Sequence, residues 1–177
     1  MDLHDEFEVR LPVAEAWTVL TDIEKITPFL PGIWLQEVEG EKYLGVVKVK
    51  VGPVTVWYEG IARYLLLDAD AHKAVLKAEG GEIHGQGKGT AVVTATLSPS
   101  ARGTRVQVVT VLSVDGRLAQ FAKGVIAAVS RNLIAEFAEN LELTVPAAPN
   151  ATTAGPVVGT ETAEGADKVP AEASPRR

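Results

Sequence analysis

The sequence predicts an α+β fold in which a curved, seven-stranded antiparallel sheet wraps around one long C-terminal helix. Two short helices follow the first strand. Three observations lead to this fold class. Residues 117–143 carry apolar side chains at helical spacing, and residues 33–114 alternate apolar and polar side chains with a period of two. The order of elements is strand, two short helices, six strands and long helix, so the sheet can close on the helix.

The long helix is predicted over residues 117–143. Asp115 is the candidate N-cap, and the pattern ends before Pro146. At about 1.5 Å per residue this helix would be roughly 40 Å long. Its apolar stripe, which needs an equally large apolar surface opposite it, recurs every four residues at Phe121, Val125, Val129, Leu133, Phe137 and Leu141.

The strands follow from the period-two alternation and from the turns between them. Short connections imply an antiparallel meander. A first strand ends near Arg10, one short helix carries Val13, Ala16, Trp17 and Leu20, and a second covers residues 22–27. The six further strands are predicted at 33–39, 42–51, 54–67, 72–79, 89–98 and 104–114.

Composition divides the chain into a folded domain, residues 1–143, and a tail, residues 144–177. The tail is rich in Pro, Ala and Thr and has no aromatic residue. This composition is typical of disorder, so we expect a disordered segment that can act as a tether or docking segment.

Bulk properties exclude several classes of function. The net charge of −6 argues against nucleic-acid binding, and the absence of cysteine excludes disulfides and thiolate chemistry. The acidic, alternating start does not resemble a secretory leader, and no apolar run is long enough to span a bilayer. A cytoplasmic protein is therefore expected, with peripheral contact to the membrane left open.

The predicted inner face of the sheet carries many small side chains. In close-packed interiors, small residues facing a helix have two outcomes: the helix sinks onto the sheet, or a cavity remains. We expect an apolar cavity, because a strongly curved sheet cannot follow a straight helix along its whole length and because Tyr58 and Tyr64 place large groups beside the gaps. The small inward residues are Gly60, Ala62, Ala74, Ala78, Ala91 and Ala95, and Leu66 and His72 are also predicted to point inward.

Catalytic and metal sites are not predicted. The three histidines are scattered, and none has a partner at metal-ligand spacing. The glycine-rich segment 85–89 leads into a strand rather than a helix, so we interpret it as a flexible loop or bulge at the cavity mouth. His72 is the one inward candidate for an acid or base. On the outer face, Trp57 and Ile61 are candidate contacts for a membrane or partner.

Four stretches resemble the G-subunit family of carbon monoxide dehydrogenase. They are Phe29-Leu30-Pro31-Gly32-Ile33, VKVKVGPVTVWYEG at 47–60, GKGTAVVTATLSP at 87–99, and VDGRLAQFAKGVIAAVSRNLIAEF at 114–137. The resemblance implies the helix-grip (START-like) fold with a hydrophobic ligand cavity. It also implies a link to molybdenum-containing carbon monoxide dehydrogenase and to the cytoplasmic membrane, and it carries over no catalytic residue.

On this basis we expect a non-enzymatic carrier without a tightly bound cofactor. It would take a hydrophobic ligand, an isoprenoid quinone such as menaquinone, between the inner face of the cell membrane and the dehydrogenase. The predicted cavity mouth, or membrane contact, is Phe29, Leu30 and Trp34. The predicted cavity wall is Tyr58, Tyr64, Val93, Phe121, Val125, Val129 and Leu133, with Tyr58 or Tyr64 able to donate a hydrogen bond to a quinone oxygen.

Two other functions stay open from the sequence. The domain could be an adaptor that recruits the dehydrogenase to the membrane without moving a ligand. It could also be an enzyme acting on a hydrophobic substrate such as a polyketide, which would need a positioned acid or base in the pocket.

Overall fold

The computed structural model describes residues 1–144, and the predicted tail lies outside them apart from Thr144. The strands lie antiparallel in the order β1-β7-β6-β5-β4-β3-β2. The elements are β1 (Asp2–Val9), α1 (Val13–Leu20), α2 (Ile23–Ile26), a first 3-10 turn (Thr27–Phe29), β2 (Ile33–Glu39), β3 (Lys42–Val51), β4 (Val54–Asp68), β5 (Lys73–Glu82), β6 (Lys88–Ser100), β7 (Gly103–Val114), a second 3-10 turn (Gly116–Gln120) and α3 (Lys123–Thr144).

The predicted fold class is confirmed. Strands β2 to β7 form a meander, and β1 closes the sheet by pairing with β7. Two short helices follow β1, and α3 is the long C-terminal helix. Asp22 caps α2, because its side chain accepts a hydrogen bond from the backbone N–H of Lys25.

The predicted start of the long helix is wrong. Residues 117–120 belong to a 3-10 turn, and Phe121 is extended, with φ −91° and ψ 144°. This break lets the Phe121 side chain pack against the core before α3 begins at Lys123. Asp115 makes no capping hydrogen bond, since its carboxylate accepts from the Lys88 backbone N–H at 2.6 Å instead. The 22 residues of α3 span about 33 Å.

The inward assignment of Leu66 is also wrong, and His72 does not belong to a strand. The pairing of β4 with β5 shifts between Tyr64 and Leu66, so Leu67, and not Leu66, pairs with the inward Ala74. His72 lies in the turn before β5 in a left-handed conformation, with φ 52°. Its ring meets the edge of Trp17 in α1, with 5.8 Å between ring centroids.

The sheet holds α3 chiefly along its flanks. The helix lies closest to β1, with further contacts to β3 and the first 3-10 turn. Against β1, the Ser130 hydroxyl donates to the Asp5 carboxylate at 2.7 Å, and Phe137 meets Phe7 edge to face. Near the start of the helix, Ile126 joins a buried cluster that includes Val51 of β3. Because β1 and β3 lie near opposite edges, the sheet must curve around the helix to reach both.

One row of glycines runs straight across the middle of the sheet. Gly45, Gly60, Gly80 and Gly89 are successive cross-strand partners on β3, β4, β5 and β6. A Cβ at Gly60 would overlap the Glu79 carbonyl oxygen, and one at Gly45 would lie 2.6 Å from the Trp34 carbonyl oxygen. The backbones here approach more closely than any side chain permits, which is how glycine allows a sheet to bend.

Tyr64 ties the concave face of the sheet to α1. Its hydroxyl donates a hydrogen bond to the backbone carbonyl of Thr21 at 3.2 Å. Burial, followed by the nearby Tyr43 and Asp22, raises the pKa of the Tyr64 hydroxyl to about 12. Tyr64 is therefore held as a neutral donor, with its ring edge-on to Tyr43 at 6.4 Å.

We predict that Gly60→Ala lowers the free energy of unfolding by about 1–3 kcal/mol, because the new methyl group overlaps backbone that the bend requires. Gly124→Ala is the matched control, since a Cβ there meets nothing within 4 Å. In helix α3 it should be neutral or stabilising, by at most about 1 kcal/mol. Urea denaturation of both variants measures the difference, and equal stabilities would contradict a bend at Gly60.

We further predict that a tyrosinate titration, followed by ultraviolet absorbance, shows a transition near pH 12 that Tyr64→Phe removes. The folded pKa lies above the ordinary value of 10.0. Stability due to neutral Tyr64 is therefore complete below about pH 10 and declines as the pH rises to about 12. Retention of that transition in Tyr64→Phe would show that another group produces it.

Candidate functional site

The candidate site is the space between α3 and the central strands β4, β5 and β6, which we call the groove. Its floor includes a row of alanines, Ala62, Ala78 and Ala91, which are cross-strand partners on the concave face. The glycine row lies beside it on the same face. Toward α1, the next row consists of Tyr64, Leu76 and Val93. Two adjacent rows without side chains beyond Cβ leave room above the middle of the sheet.

Burial shows that α3 does not fill this space. On β1, where the helix packs, the inward Leu3 is 4% exposed, and on the neighbouring β7 the inward Val106 and Val108 are at most 7% exposed. In contrast, all three members of the alanine row are only half-buried, as are Tyr64, Leu76 and Val93. Apolar side chains on the inner face of the sheet therefore keep contact with solvent. The groove is open and lined mainly by apolar atoms.

Tyr58 supplies a polar group at the end of the groove nearest the start of α3. Its side chain is 8% exposed and packs with Leu118 and Ile126. The buried hydroxyl has no hydrogen-bond partner within residues 1–144. Burial raises the pKa of Tyr58 above its ordinary value, and the charges of Glu82 and Asp115 raise it further. Tyr58 is thus a neutral hydroxyl with an unused donor.

Glu82 closes the same end of the groove. It pairs across the strands with Tyr58, and its side chain is 2% exposed. The carboxylate packs against Gly85, Gly87 and Gly116, where any Cβ would overlap it, and Arg117 Nε lies 3.5 Å from Oε1. The glycine-rich segment is therefore a turn folded over a buried carboxylate at this end of the groove, and its last residues, 88–89, already belong to β6. Sequence reasoning missed Glu82, although its glycine-rich surroundings were a signal.

The predicted wall residues occupy different positions. Tyr58, Tyr64 and Val93 face the concave side through their strand register. Val125 is 43% exposed and does not form part of a buried wall. The others are half-buried: Leu133 on α3, and Phe121 and Val129, which both pack against the core cluster.

The predicted mouth residues are divided between two surfaces. Phe29 and Leu30 are half-buried, and Asn140 near the end of α3 donates a hydrogen bond to the Phe29 carbonyl at 2.9 Å. Trp34 lies on the opposite, convex face, because it pairs with Val46. It stacks on Trp57, with ring centroids 5.6 Å apart. Placing Trp34 at the groove mouth is therefore wrong.

A separate depression of about 500 Å³ lies between β1 and the last turns of α3. It is bordered by several carboxylates and by Arg102 and Arg105. Arg102 lies 3.5 Å from the Glu142 carboxylate and 3.8 Å from that of Glu8. This charged surface does not suit an apolar ligand, and we assign it no role.

Residues 1–144 offer neither a metal site nor a membrane-spanning helix. No cluster of three or more His, Asp or Glu side chains is arranged there to hold a metal ion. In the same part of the chain, no helix has both the length and the apolar character needed to cross a bilayer.

Solved structures show the same fold at low sequence identity. A conserved protein from Geobacillus kaustophilus superposes with a TM-score of 0.68 at 20% identity, covering 80% of this chain and 92% of that one. The TTHA0849 protein from Thermus thermophilus gives 0.60 at 14% identity, with 82% and 100% covered. The Zhui aromatase/cyclase from Streptomyces sp. R1128 gives 0.55 at 11% identity, with 80% and 90% covered.

These likenesses establish the helix-grip fold, and one of the similar structures is an enzyme, so the fold alone does not decide whether this protein is one. No curated protein matches the chain. The profile of the carbon monoxide dehydrogenase G-subunit (CoxG) family, however, matches residues 6–145, which include every strand except the first residues of β1, and all of the groove. The chain belongs to the CoxG family of carbon monoxide dehydrogenase.

Proposed function

We propose that this protein is a non-enzymatic carrier that binds an isoprenoid quinone in the groove and moves it between the cytoplasmic membrane and carbon monoxide dehydrogenase. The observation that carries the proposal is the half-open apolar space between α3 and the alanine row, which ends at the Tyr58 hydroxyl, a group without a hydrogen-bond partner in residues 1–144. Electrons from carbon monoxide oxidation need an acceptor, and a quinone buried in lipid is out of reach of an enzyme outside the bilayer.

The groove matches the chemistry of such a ligand. From Tyr58 to Tyr64 the floor extends about six residues along β4, or about 20 Å. This length accommodates a quinone ring and the first prenyl units of its tail. Apolar burial contributes about 25 cal/mol per Å², and the quinone loses similar burial when it leaves the lipid. The transfer free energy is then small, as a carrier requires.

The two tyrosines have different roles in this proposal. The Tyr64 hydroxyl is already engaged with the Thr21 carbonyl, so it shapes the groove rather than binding the ring. The Tyr58 hydroxyl has no such partner within the described residues and is the donor for a quinone carbonyl oxygen. The apolar tail would run over Ala62 and Ala78 toward the α1 end of the groove.

The proposed location is the inner face of the cell membrane, with the protein bound peripherally. The alternative is an adaptor that recruits the dehydrogenase without carrying a ligand. This alternative does not explain why the groove is open and apolar. An enzyme would need an acid or base facing the groove. His72, the candidate from the sequence, lies in a turn and packs against Trp17, which does not favour that role.

We predict that Val93→Trp abolishes quinone binding, because the indole fills the space above the alanine row. Val92→Trp is the matched control: Val92 is the adjacent residue, is also half-buried, and points to the convex face. Binding of menaquinone-4 is measured by quenching of intrinsic fluorescence, and electron delivery by quinone reduction with purified dehydrogenase.

The carrier proposal expects Val93→Trp to bind the dehydrogenase normally but to deliver no electrons to the quinone, whereas Val92→Trp behaves as the wild type. If Val93→Trp folds, binds the dehydrogenase and still supports full quinone reduction, the groove is not the carrier site and the adaptor function is favoured.

We also predict opposite effects of Tyr58→Phe on affinity and on stability. Loss of one hydrogen bond to the quinone, worth about 0.5–1.5 kcal/mol, weakens binding roughly 2- to 13-fold. The ligand-free protein is unchanged or about 1 kcal/mol more stable, because an unpartnered buried hydroxyl is removed. Isothermal titration and urea denaturation measure the two quantities. A variant that loses stability but keeps its affinity would make Tyr58 a structural residue only.

A further inference from the structure

The convex face of the sheet carries an exposed aromatic patch that the groove does not explain. We call Trp34, Val46, Trp57 and Ile83 the tryptophan patch. Trp34 pairs with Val46 across β2 and β3, and the Ile83 backbone N–H donates to the Trp57 carbonyl. The two indoles stack with 20° between their planes. Trp34 is 49% exposed and Ile83 43% exposed.

The charges beside the patch are mainly positive, although the chain as a whole has a net charge of −6. Lys48 pairs with Trp57, and its Nζ lies 5.4 Å from the Trp57 ring centroid. Lys50 is the next residue on this face of β3, and Lys88 pairs with Gly81 on the same face. Glu59, which pairs with Val46, is the nearest acid on β4. Asp115, whose carboxylate accepts from the Lys88 backbone N–H, is the acid nearest Lys88, and Glu37 and Glu79 lie one row farther from the lysines.

Stacking within the sheet accounts for part of this arrangement, since cross-strand aromatic pairs stabilise strand pairing. Stacking does not explain the lysines around the two indoles, and it does not explain why Trp34 is half exposed to solvent. Tryptophan and lysine occur together where a protein meets the headgroup region of a bilayer. The indole sits at the boundary, and the ammonium group reaches the phosphates. At protein–protein interfaces tryptophan is enriched but lysine is depleted.

We propose that the tryptophan patch docks this protein on an anionic phospholipid surface, with both indoles in the headgroup layer and Lys48, Lys50 and Lys88 against lipid phosphates. The proposal rests on the proposed function, which requires membrane contact, but it uses the face of the sheet opposite the groove. Docking through the convex face would leave the groove and α3 uncovered while the protein stays on the membrane.

The test uses the full chain and sedimentation with vesicles, either of phosphatidylcholine with about 30% phosphatidylglycerol or of phosphatidylcholine alone. The variants are Trp34→Ala/Trp57→Ala and Lys48→Glu/Lys50→Glu. The matched control is Val111→Ala, because Val111 is 49% exposed on the same face of β7, three strands away from β4. Circular dichroism checks that each variant is folded.

We expect the wild type and Val111→Ala to bind the anionic vesicles, with each patch variant binding at least about tenfold more weakly. Binding to phosphatidylcholine alone should be weaker for the wild type and for Val111→Ala. A Trp17→Phe variant leaves Trp34 and Trp57 as the only tryptophans in the sequence, and its fluorescence should shift to shorter wavelength on binding.

Equal vesicle binding by the wild type and both patch variants would overturn the proposal. So would a patch variant that keeps vesicle binding but loses association with purified dehydrogenase, because the patch would then be a protein interface. Menaquinone-4 binding by the patch variants is measured separately. A failure confined to vesicle binding leaves the carrier function intact, and a failure confined to quinone binding leaves the docking surface intact.

Discussion

The close backbone approach at the glycine row is the constraint on which the rest of this structure depends. A Cβ at Gly60 or Gly45 would collide with a neighbouring strand, so side chains are excluded where the sheet bends. The bend brings β1 and β3 to opposite flanks of α3, and the helix is held there by Phe7–Phe137 and by the Val51 cluster. The same glycines and the alanine row have no side-chain atoms beyond Cβ, so the space above the centre of the concave face stays unfilled. Curvature and the groove therefore have one physical origin.

Polar groups are sparse on the concave face, and those present have distinct tasks. Asp5 is satisfied by Ser130, and Tyr64 by the Thr21 carbonyl. Glu82 is buried under the glycine turn beside Arg117, where it closes one end of the groove. The Tyr58 hydroxyl is left without a partner in the described residues. An apolar ligand with one carbonyl oxygen at its end complements this arrangement, and the convex tryptophan patch is physically separate from it.

Periodicity in the sequence was sufficient to predict the fold because side chains on a strand alternate between a core and a solvent face. It also identified most of the inward residues in β4 to β6. Predictions from the spacing of apolar residues were wrong where the chain departs from regular geometry. The bulge at Leu65 turns Leu66 outward, and because Phe121 is extended, α3 begins later than predicted. Trp34 was misplaced because the face on which it lies depends on the register between β2 and β3, which alternation within one strand does not specify. Glu82 was missed because its burial depends on the glycine turn that folds over it.

Identification of the molecule that occupies the groove in the cell tests the carrier function most directly. The full chain is purified without detergent from cells oxidising carbon monoxide, extracted with organic solvent and analysed by mass spectrometry, alongside Val92→Trp and Val93→Trp. We expect a near-stoichiometric isoprenoid quinone in the wild type and in Val92→Trp, and none in Val93→Trp. Wild-type protein without any quinone, or equal quinone in all three proteins, would contradict the carrier function.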